Sequence, residues 1–334
     1  MTSDTGTVHP RTPVWLDCDV GHDDALALIL AAYHPEIELL GVSSVSGNTP
    51  VKNTTANTIQ VIQAAGIKGV KVYQGADKPL VKKRVHADNI HGGTGIDGTE
   101  QLPAPDFDAH FVSDTNAVNA MRQAIMGSEQ PISIVATGPL TNVALLLSTY
   151  PEVVPRIKTL SIMGGAIGIG NFVPAAEFNI YCDPEAAHIV LNAGLSHVAF
   201  VPLEVTHTVL SSKAILDRIK ATAPEPRFAQ LVVDLLVFFS KMYEDVMGMK
   251  DGAPLHDPVA VAYLFMRNAF QEKHVRMDVE CGSGKCAGRT CCDMYNVSGL
   301  PPNCWVTTAV DADRFWDHMM DALVCAGEKR AIAE

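Results

Sequence analysis

The chemistry of this chain is concentrated first in Trp15-Leu16-Asp17-Cys18-Asp19-Val20-Gly21-His22-Asp23-Asp24, where four carboxylates fall within eight residues. One acid at a helix start needs no more explanation than capping and the helix dipole, a role open to Asp23 or Asp24. Four acids on one turn repel one another, and burial raises their pKa values further. A divalent cation removes that conflict, and hard carboxylate oxygens suit Ca²⁺ or Mg²⁺ rather than zinc. Two chemistries fit an Asp-x-Asp after a first strand. In one, Asp17 is the nucleophile of a Mg²⁺ phosphohydrolase and becomes a phospho-aspartate. That type needs a second acidic pair after a later strand, and no convincing Gly-Asp-x-x-Asp is present. In the other, a metal-activated water attacks while one Asp acts as general base.

The elements that must position these acids follow from the hydrophobic pattern. Short β-branched runs (Val14–Leu16, Ile37–Val45, Ile132–Ala136, Thr159–Met163, Val198–Val201) alternate with helical stretches (Asp24–Tyr33, Val51–Ala65, Thr115–Met126, Leu140–Leu147, Pro184–Leu191). That rhythm predicts an α/β domain with an open, mostly parallel, Rossmann-like sheet and flanking helices. Ligands of such sheets bind at the carboxyl ends of the strands. Those ends read Asp17–Asp24, Ser46–Thr49, Thr137–Asn142 and Gly164–Asn179, each rich in Gly, Asn, Asp or Thr. Between Gly75 and His110 lies a long segment of little periodicity, a length that in a compact domain signals function or disorder. Further on, Phe228–Met247 and Pro258–Met266 read as helices, Val275–Val297 and Trp305–Val310 as strands, and Asp311–Cys325 as a closing helix. The whole chain, 1–334, reads as a single domain, with residues 1–10 and 327–334 as tails.

Composition narrows the function classes. Lys plus Arg is 25 against 37 for Asp plus Glu, a net charge of −12, which argues against nucleic acid as a partner. Apolar runs reach about half the ~20 residues that span a bilayer, so no membrane partner is expected. Residues 1–10 lack a cationic and apolar signal pattern, and the eight Cys are expected to be reduced thiols of a cytoplasmic protein.

Taken in order, the acidic turn, Ser46-Gly47-Asn48, Ile90-His91-Gly92, Ala136-Thr137-Gly138-Pro139-Leu140-Thr141-Asn142, Met163-Gly164-Gly165, Asn171, Glu177-Phe178-Asn179, Asp183-Pro184-Glu185-Ala186 and His256-Asp257-Pro258 resemble the inosine–uridine type nucleoside hydrolases. The blocks run from about residue 14 to 262, and the likeness is greatest to the uridine-preferring eukaryotic branch. The resemblance implies a nucleoside hydrolase-like fold and hydrolysis of the N-glycosidic bond of a ribonucleoside, uridine or inosine, through an oxocarbenium-like transition state. It implies Ca²⁺ held by Asp19, Asp24, Asp257 and the Thr137 carbonyl, with Asp19 also the general base. Asp23 and Asn179 would contact the 2′- and 3′-hydroxyls, and Asn171 and Glu177 the 5′-hydroxyl. Asn48 would lie near the water and the ribose, with Met163 under the sugar. His256 would protonate or orient the leaving base, and His91 would face it. The aromatics from Phe238 to Tyr243 would cover the base. A homodimer or homotetramer is implied as well. Val20 stands where the family usually has Pro, which is expected to loosen the turn.

The plainer readings are retained beside these. His256-Asp257-Pro258 also has the form of a helix start, as does Asp183-Pro184-Glu185, where capping is the preferred reading. Cys281, Cys286, Cys291 and Cys292 lack the paired spacing of common zinc sites. Cys18, among acids, is expected to be inert. His22 reads as a loop residue, and His188 and His207 as locally hydrogen-bonded or solvent-facing. A ribose- or nucleoside-binding protein without turnover is the non-enzymatic alternative.

Overall fold

The structure, a computed structural model, describes residues 11–331, with side chains described to residue 329. Ten strands form one sheet: β1 (Thr12–Cys18), β2 (Ile37–Ser44), β3 (Val72–Gln74), β4 (Phe111–Val112), β5 (Ile132–Ala136), β6 (Ile157–Met163), β7 (Val198–Val201), β8 (Phe270–Val279), β9 (Thr290–Asp293) and β10 (Cys304–Val310). Their order is β4-β3-β2-β1-β5-β6-β7-β10-β8-β9. Every pairing from β4 through to β10 is parallel, and only β10–β8 and β8–β9 are antiparallel. The strand order reverses at β1, which lies between β2 and β5, so the crevice for a ligand belongs at its carboxyl end.

The central strands are continuously apolar because both faces are covered. On one face Val14, Leu16 and Cys18 of β1 pack into a core with the helices His22–Tyr33, Val51–Ala64, Pro226–Met247, Asp257–Ala262 and Ala312–Ala331. On the other, Trp15 and the alternate residues of β5 and β6 meet the helices Ala117–Gly127, Thr141–Thr149 and Pro184–Leu191. The period-two alternation of strand side chains divides neighbouring residues between the two cores.

Several sequence expectations need correcting. The segment 75–110 contains two short helices, Asp88–His91 and Phe107–His110. The stretch 275–297 is not continuous strand: β8 ends at Val279 and β9 spans only Thr290–Asp293. The helix expected at Pro258–Met266 is Asp257–Ala262. The closing helix runs Ala312–Ala331, so residues 327–331 are helical rather than a tail. Residues 1–10 and 332–334, expected as tails, lie outside the described residues.

Candidate active site

Strand β1 delivers the acids and the helix His22–Tyr33 turns them inward. Asp19, Asp23 and Asp24 are all buried, joined by Asp257 at the start of the helix Asp257–Ala262. Asp24 is the most tightly held. Its Oδ2 accepts from Gly21 N (2.9 Å) and Asn48 Nδ2 (3.3 Å), and its Oδ1 from Thr137 Oγ1 (2.8 Å). Asp19 Oδ2 accepts from Asn48 N at 2.7 Å. The remaining oxygens, Asp19 Oδ1 and Asp23 Oδ1, are buried with no partner among the described residues. Two glycines crowd Asp19: a Cβ at Gly47 would fall 2.0 Å from its Oδ2, and one at Gly138 2.6 Å from its Oδ1.

Asp23, Asp24 and Asp257 each offer an oxygen within 4.8 Å of the others, and this is the one such group of His, Cys, Asp or Glu ligands among the described residues. Burial, and then the charge of Asp24, push Asp23 up to about 8 and Asp19 well above the usual carboxylate range. Burial and the neighbouring Asp23 do the same to Asp257. Buried, mutually repelling carboxylates with unused oxygens fit a hard divalent cation. Asp24 and Asp257 are together as expected. Asp23, expected against the ribose in the same crevice, joins them within ligand distance, while Asp19 stands outside the group. The Thr137 carbonyl, an expected ligand, accepts from Asn179 Nδ2 at 2.7 Å, which leaves one lone pair.

Above these acids lies a cavity of about 350 Å³. Of the residues expected at the site, Asp23, Asn48, His91, Thr137, Met163, Asn171, Glu177, Asn179, Tyr243, His256 and Asp257 line it. Asp19 and Asp24 do not line it but are hydrogen-bonded to residues that do, Asn48 and Thr137. Glu177 caps the helix Phe178–Cys182, taking Asn179 N and Ile180 N, and also accepts from Gly165 N at 2.9 Å. Desolvation outweighs those three donors and raises it to about 7. Asn171 Oδ1 accepts from Phe178 N (2.9 Å), which ties the loop after β6 to the same helix. Thr290 of β9 reinforces that loop, accepting from Ala166 N and donating to Ala166 O.

His256 is buried, and both ring nitrogens are engaged: Nε2 lies 2.7 Å from Tyr243 Oη and Nδ1 2.7 Å from Thr206 Oγ1. Burial and the adjacent His207 hold its pKa well below the ordinary value. His91 Nδ1 lies 3.2 Å from His22 Nδ1, and His22 Nε2 lies 2.7 Å from the Asp97 carbonyl. His22 is therefore not a loop residue. It opens the first helix, buried, with its ring stacked on Phe238 and Phe239. Those two phenylalanines serve His22 and do not line the cavity, contrary to the base-covering role; of that run only Tyr243 reaches it. Phe172, Val246 and Met247, unforeseen from the sequence, form an exposed apolar rim.

The long segment is clasped to the acidic turn. Ala87 N donates to the Asn48 carbonyl (3.0 Å), and His86 Nδ1 lies 2.9 Å from the Gly47 carbonyl. Asn57 Nδ2 donates to both the Val20 and Thr94 carbonyls at 3.0 Å. Val20 is fully buried, with its carbonyl held by Asn57.

Asp17 is no nucleophile. It is fully buried away from the cavity, with Oδ1 bonded by Ser43 Oγ and by Asn142 Nδ2 (2.7 Å). Burial raises it to about 7. The Cys18 thiol is pushed well up by burial and by the charges of Asp24, Asp17 and Asp19, the direction expected among acids. Asp183 caps the helix Pro184–Leu191 through Ala186 N and accepts from Thr141 Oγ1 (2.7 Å). His188 is exposed, but His207 Nε2 is buried without a partner among the described residues, against the satisfied role expected of it.

A mostly parallel sheet whose flanking loops and helices gather carboxylates, amides and imidazoles around one cavity, with an acidic cluster that could hold a metal ion, has the make-up of a hydrolytic site. The chain matches the inosine-uridine preferring nucleoside hydrolase family over residues 14–317, and it belongs to that family. It is 40% identical to a probable ribonucleoside hydrolase of Dictyostelium discoideum, over 93% of this chain and 94% of that protein. It is 41% identical to a pyrimidine-specific ribonucleoside hydrolase of Shewanella sp. (strain MR-4), over 93% and 96%. Among solved structures, the purine-preferring ribonucleoside hydrolase of Gardnerella vaginalis superposes with a TM-score of 0.85 at 28% identity, covering 95% of this chain and 99% of that one. The chain is an enzyme of the ribonucleoside hydrolase class, splitting ribonucleosides to ribose and free base.

Proposed function

We propose that this enzyme is a Ca²⁺-dependent ribonucleoside hydrolase that prefers uridine, with inosine second. The observation that carries the reading is the pair of buried, unpartnered oxygens, Asp19 Oδ1 and Asp23 Oδ1, the second on a residue that lines a cavity walled also by Asn48, Glu177 and Asn179. Asp24, Asp257, Asp19 and the Thr137 carbonyl would hold the cation, with Asp23 close enough to share it. Bound there, Ca²⁺ would supply Lewis acidity that lowers the pKa of water and oxygen coordination for ribose hydroxyls.

Asp19 takes a proton as water oxygen bonds to C1′. The C1′–N bond breaks with its electron pair going to the base, through an oxocarbenium-like transition state. Asp23 and Asn179 bind the 2′- and 3′-hydroxyls, Asn171 and Glu177 the 5′-hydroxyl, and Met163 packs under the sugar. Asn48 orients Asp19 and faces the water and the ribose. His256, with Tyr243, and His91 meet the departing base. The relatives near 40% identity described as pyrimidine-specific support uridine first. The purine-preferring structural neighbour at 28% supports inosine as the second substrate. The enzyme is proposed to be cytoplasmic and a homodimer or homotetramer. Among the described residues no helix is long and apolar enough to cross a membrane.

The test is direct. Uridine, inosine, cytidine and adenosine are incubated with the enzyme, with and without a chelator, and with Ca²⁺ or Mg²⁺ restored. Uridine cleavage that the chelator abolishes and Ca²⁺ restores is the expected result. Release of no base from any nucleoside in the presence of Ca²⁺ overturns it.

A further inference from the structure

Thr206 ends the short helix Leu203–Thr206 and is fully buried beneath the cavity wall. Nothing in its sequence surroundings marks it for chemistry. Its hydroxyl has two acceptors within reach: His256 Nδ1 at 2.7 Å and the Leu203 carbonyl at 3.4 Å. Tyr243 Oη stands equally close to the other ring nitrogen, so distance alone does not set the direction. The buried Thr206 proton, however, has otherwise only the long 3.4 Å contact, whereas the Tyr243 proton can turn to the cavity. Nδ1 of His256 is then the acceptor, and a neutral imidazole so engaged carries its proton on Nε2. That Nε2–H meets Tyr243 Oη at 2.7 Å. The phenol oxygen, already accepting, has its own single proton free to turn elsewhere, and Tyr243 lines the cavity.

We propose that Thr206 is a positioning residue: by fixing the Nε2–H tautomer of His256, it turns the Tyr243 O–H into the cavity as a hydrogen-bond donor to the departing base. This rests on the reading of the site as a ribonucleoside hydrolase. The opposite tautomer would reverse the chain. His256 Nδ1 would donate to Thr206, Nε2 would accept from Tyr243, and the phenol would offer the base only lone pairs. A base leaving with the glycosidic electron pair gains negative charge, so a donor stabilises it and an acceptor opposes it. The outer partner of a histidine thus sets what a second residue, two bonds away, presents to substrate.

The test compares Thr206→Val, which removes the hydroxyl at nearly constant volume, with Thr206→Ser, which retains it. Each is assayed on uridine and on p-nitrophenyl riboside, whose leaving group departs without a donor. Thr206→Val is expected to lower kcat on uridine about 10²-fold, the order seen when one preorganised donor is lost, and to leave p-nitrophenyl riboside within a few fold. Thr206→Ser is expected to restore most of the uridine rate. An equal loss on both substrates, or none on uridine, overturns the proposal. A second readout is independent of turnover: ¹⁵N spectra of histidine-labelled enzyme, with His256 identified by its loss in His256→Asn. Protonated Nε2 and bare Nδ1 are expected, and a proton on Nδ1 overturns the assignment. If no nucleoside is cleaved at all, the proposed function falls, while the nitrogen spectrum still decides the role of Thr206.

Discussion

Gly47→Ala tests the geometry around Asp19 without touching a functional group. The φ of Gly47 lies outside the left-handed region, so the backbone accepts alanine. The new methyl would sit 2.0 Å from Asp19 Oδ2 and 2.8 Å from both Asp19 Cγ and Pro139 Cδ. That is about 1 Å inside the closest approach a Cβ makes, and misplacing a catalytic group by ~1 Å can cost about 10²-fold in rate. The carboxylate must leave Asn48 N, the one hydrogen bond to its Oδ2. We expect kcat on uridine to fall about 10²-fold or more, KM to change little, and stability to drop by about 1–3 kcal/mol from overpacking. The assay is steady-state release of uracil, paired with thermal unfolding to confirm folding. Gly284→Ala is the control, since its Cβ meets nothing within 4 Å. A Gly47→Ala enzyme that is folded and within threefold of the parent kcat would refute the claim that Asp19 is held by this cradle.

Further expectations separate the two Asp residues of β1 and its turn, the sugar contacts and the cation. Asp19→Asn should lose about 10²–10⁴-fold in kcat, the range for a general base, whereas buried Asp17→Asn should remain within about tenfold; equal losses would reopen the phosphohydrolase reading. 2′-Deoxyuridine should be cleaved at least about 10²-fold less efficiently than uridine, because Asp23 and Asn179 lose a partner; comparable kcat/KM values would contradict that placement. Without a cation, the folded pKa values of Asp19, Asp23 (about 8) and Asp257 all stand above their unfolded values. The folded state therefore binds more protons, so stability is fully present below about pH 4 and is lost as pH rises through the folded values. Chelated enzyme should melt lower at pH 8 than at pH 5.5, and Ca²⁺ should raise Tm more at pH 8; a Ca²⁺ effect independent of pH would show that these acids do not bind it.

The sequence exposed the site more fully than the fold. The parallel strands at the centre are runs of buried β-branched residues, and β5 and β7 have the expected boundaries. β3 and β4, three and two residues long at one edge, are too short to carry a period. The helix Lys213–Thr222 buries only Ile219, so its pattern reads as polar chain. Within the site, spacing revealed the acids because four charges on one turn demand an explanation. It could not fix that Asp23, and not Asp19, comes within ligand distance of Asp24 and Asp257, since that depends on how the helix Asp257–Ala262 meets the helix His22–Tyr33 in space. Phe238 and Phe239 were misplaced for a related reason. Helical spacing says that aromatics share a face, but not that a buried histidine 216 residues earlier would claim it.

The clasp between the long segment and the acidic turn bears on how such an enzyme could be altered. Ile90 and His91, which line the cavity, sit on a segment bonded at Ala87 and His86 to Asn48 and Gly47. The same Asn48 holds Asp19 and Asp24. That segment is not an interchangeable cassette. Transplanting it from a relative with another base preference would disturb the carboxylates beneath, and a chimaera altered in taste for its base would also be altered in its grip on the cation. Retargeting this enzyme calls for changes at the apolar rim, where Phe172, Val246 and Met247 line the cavity far from those bonds in the chain.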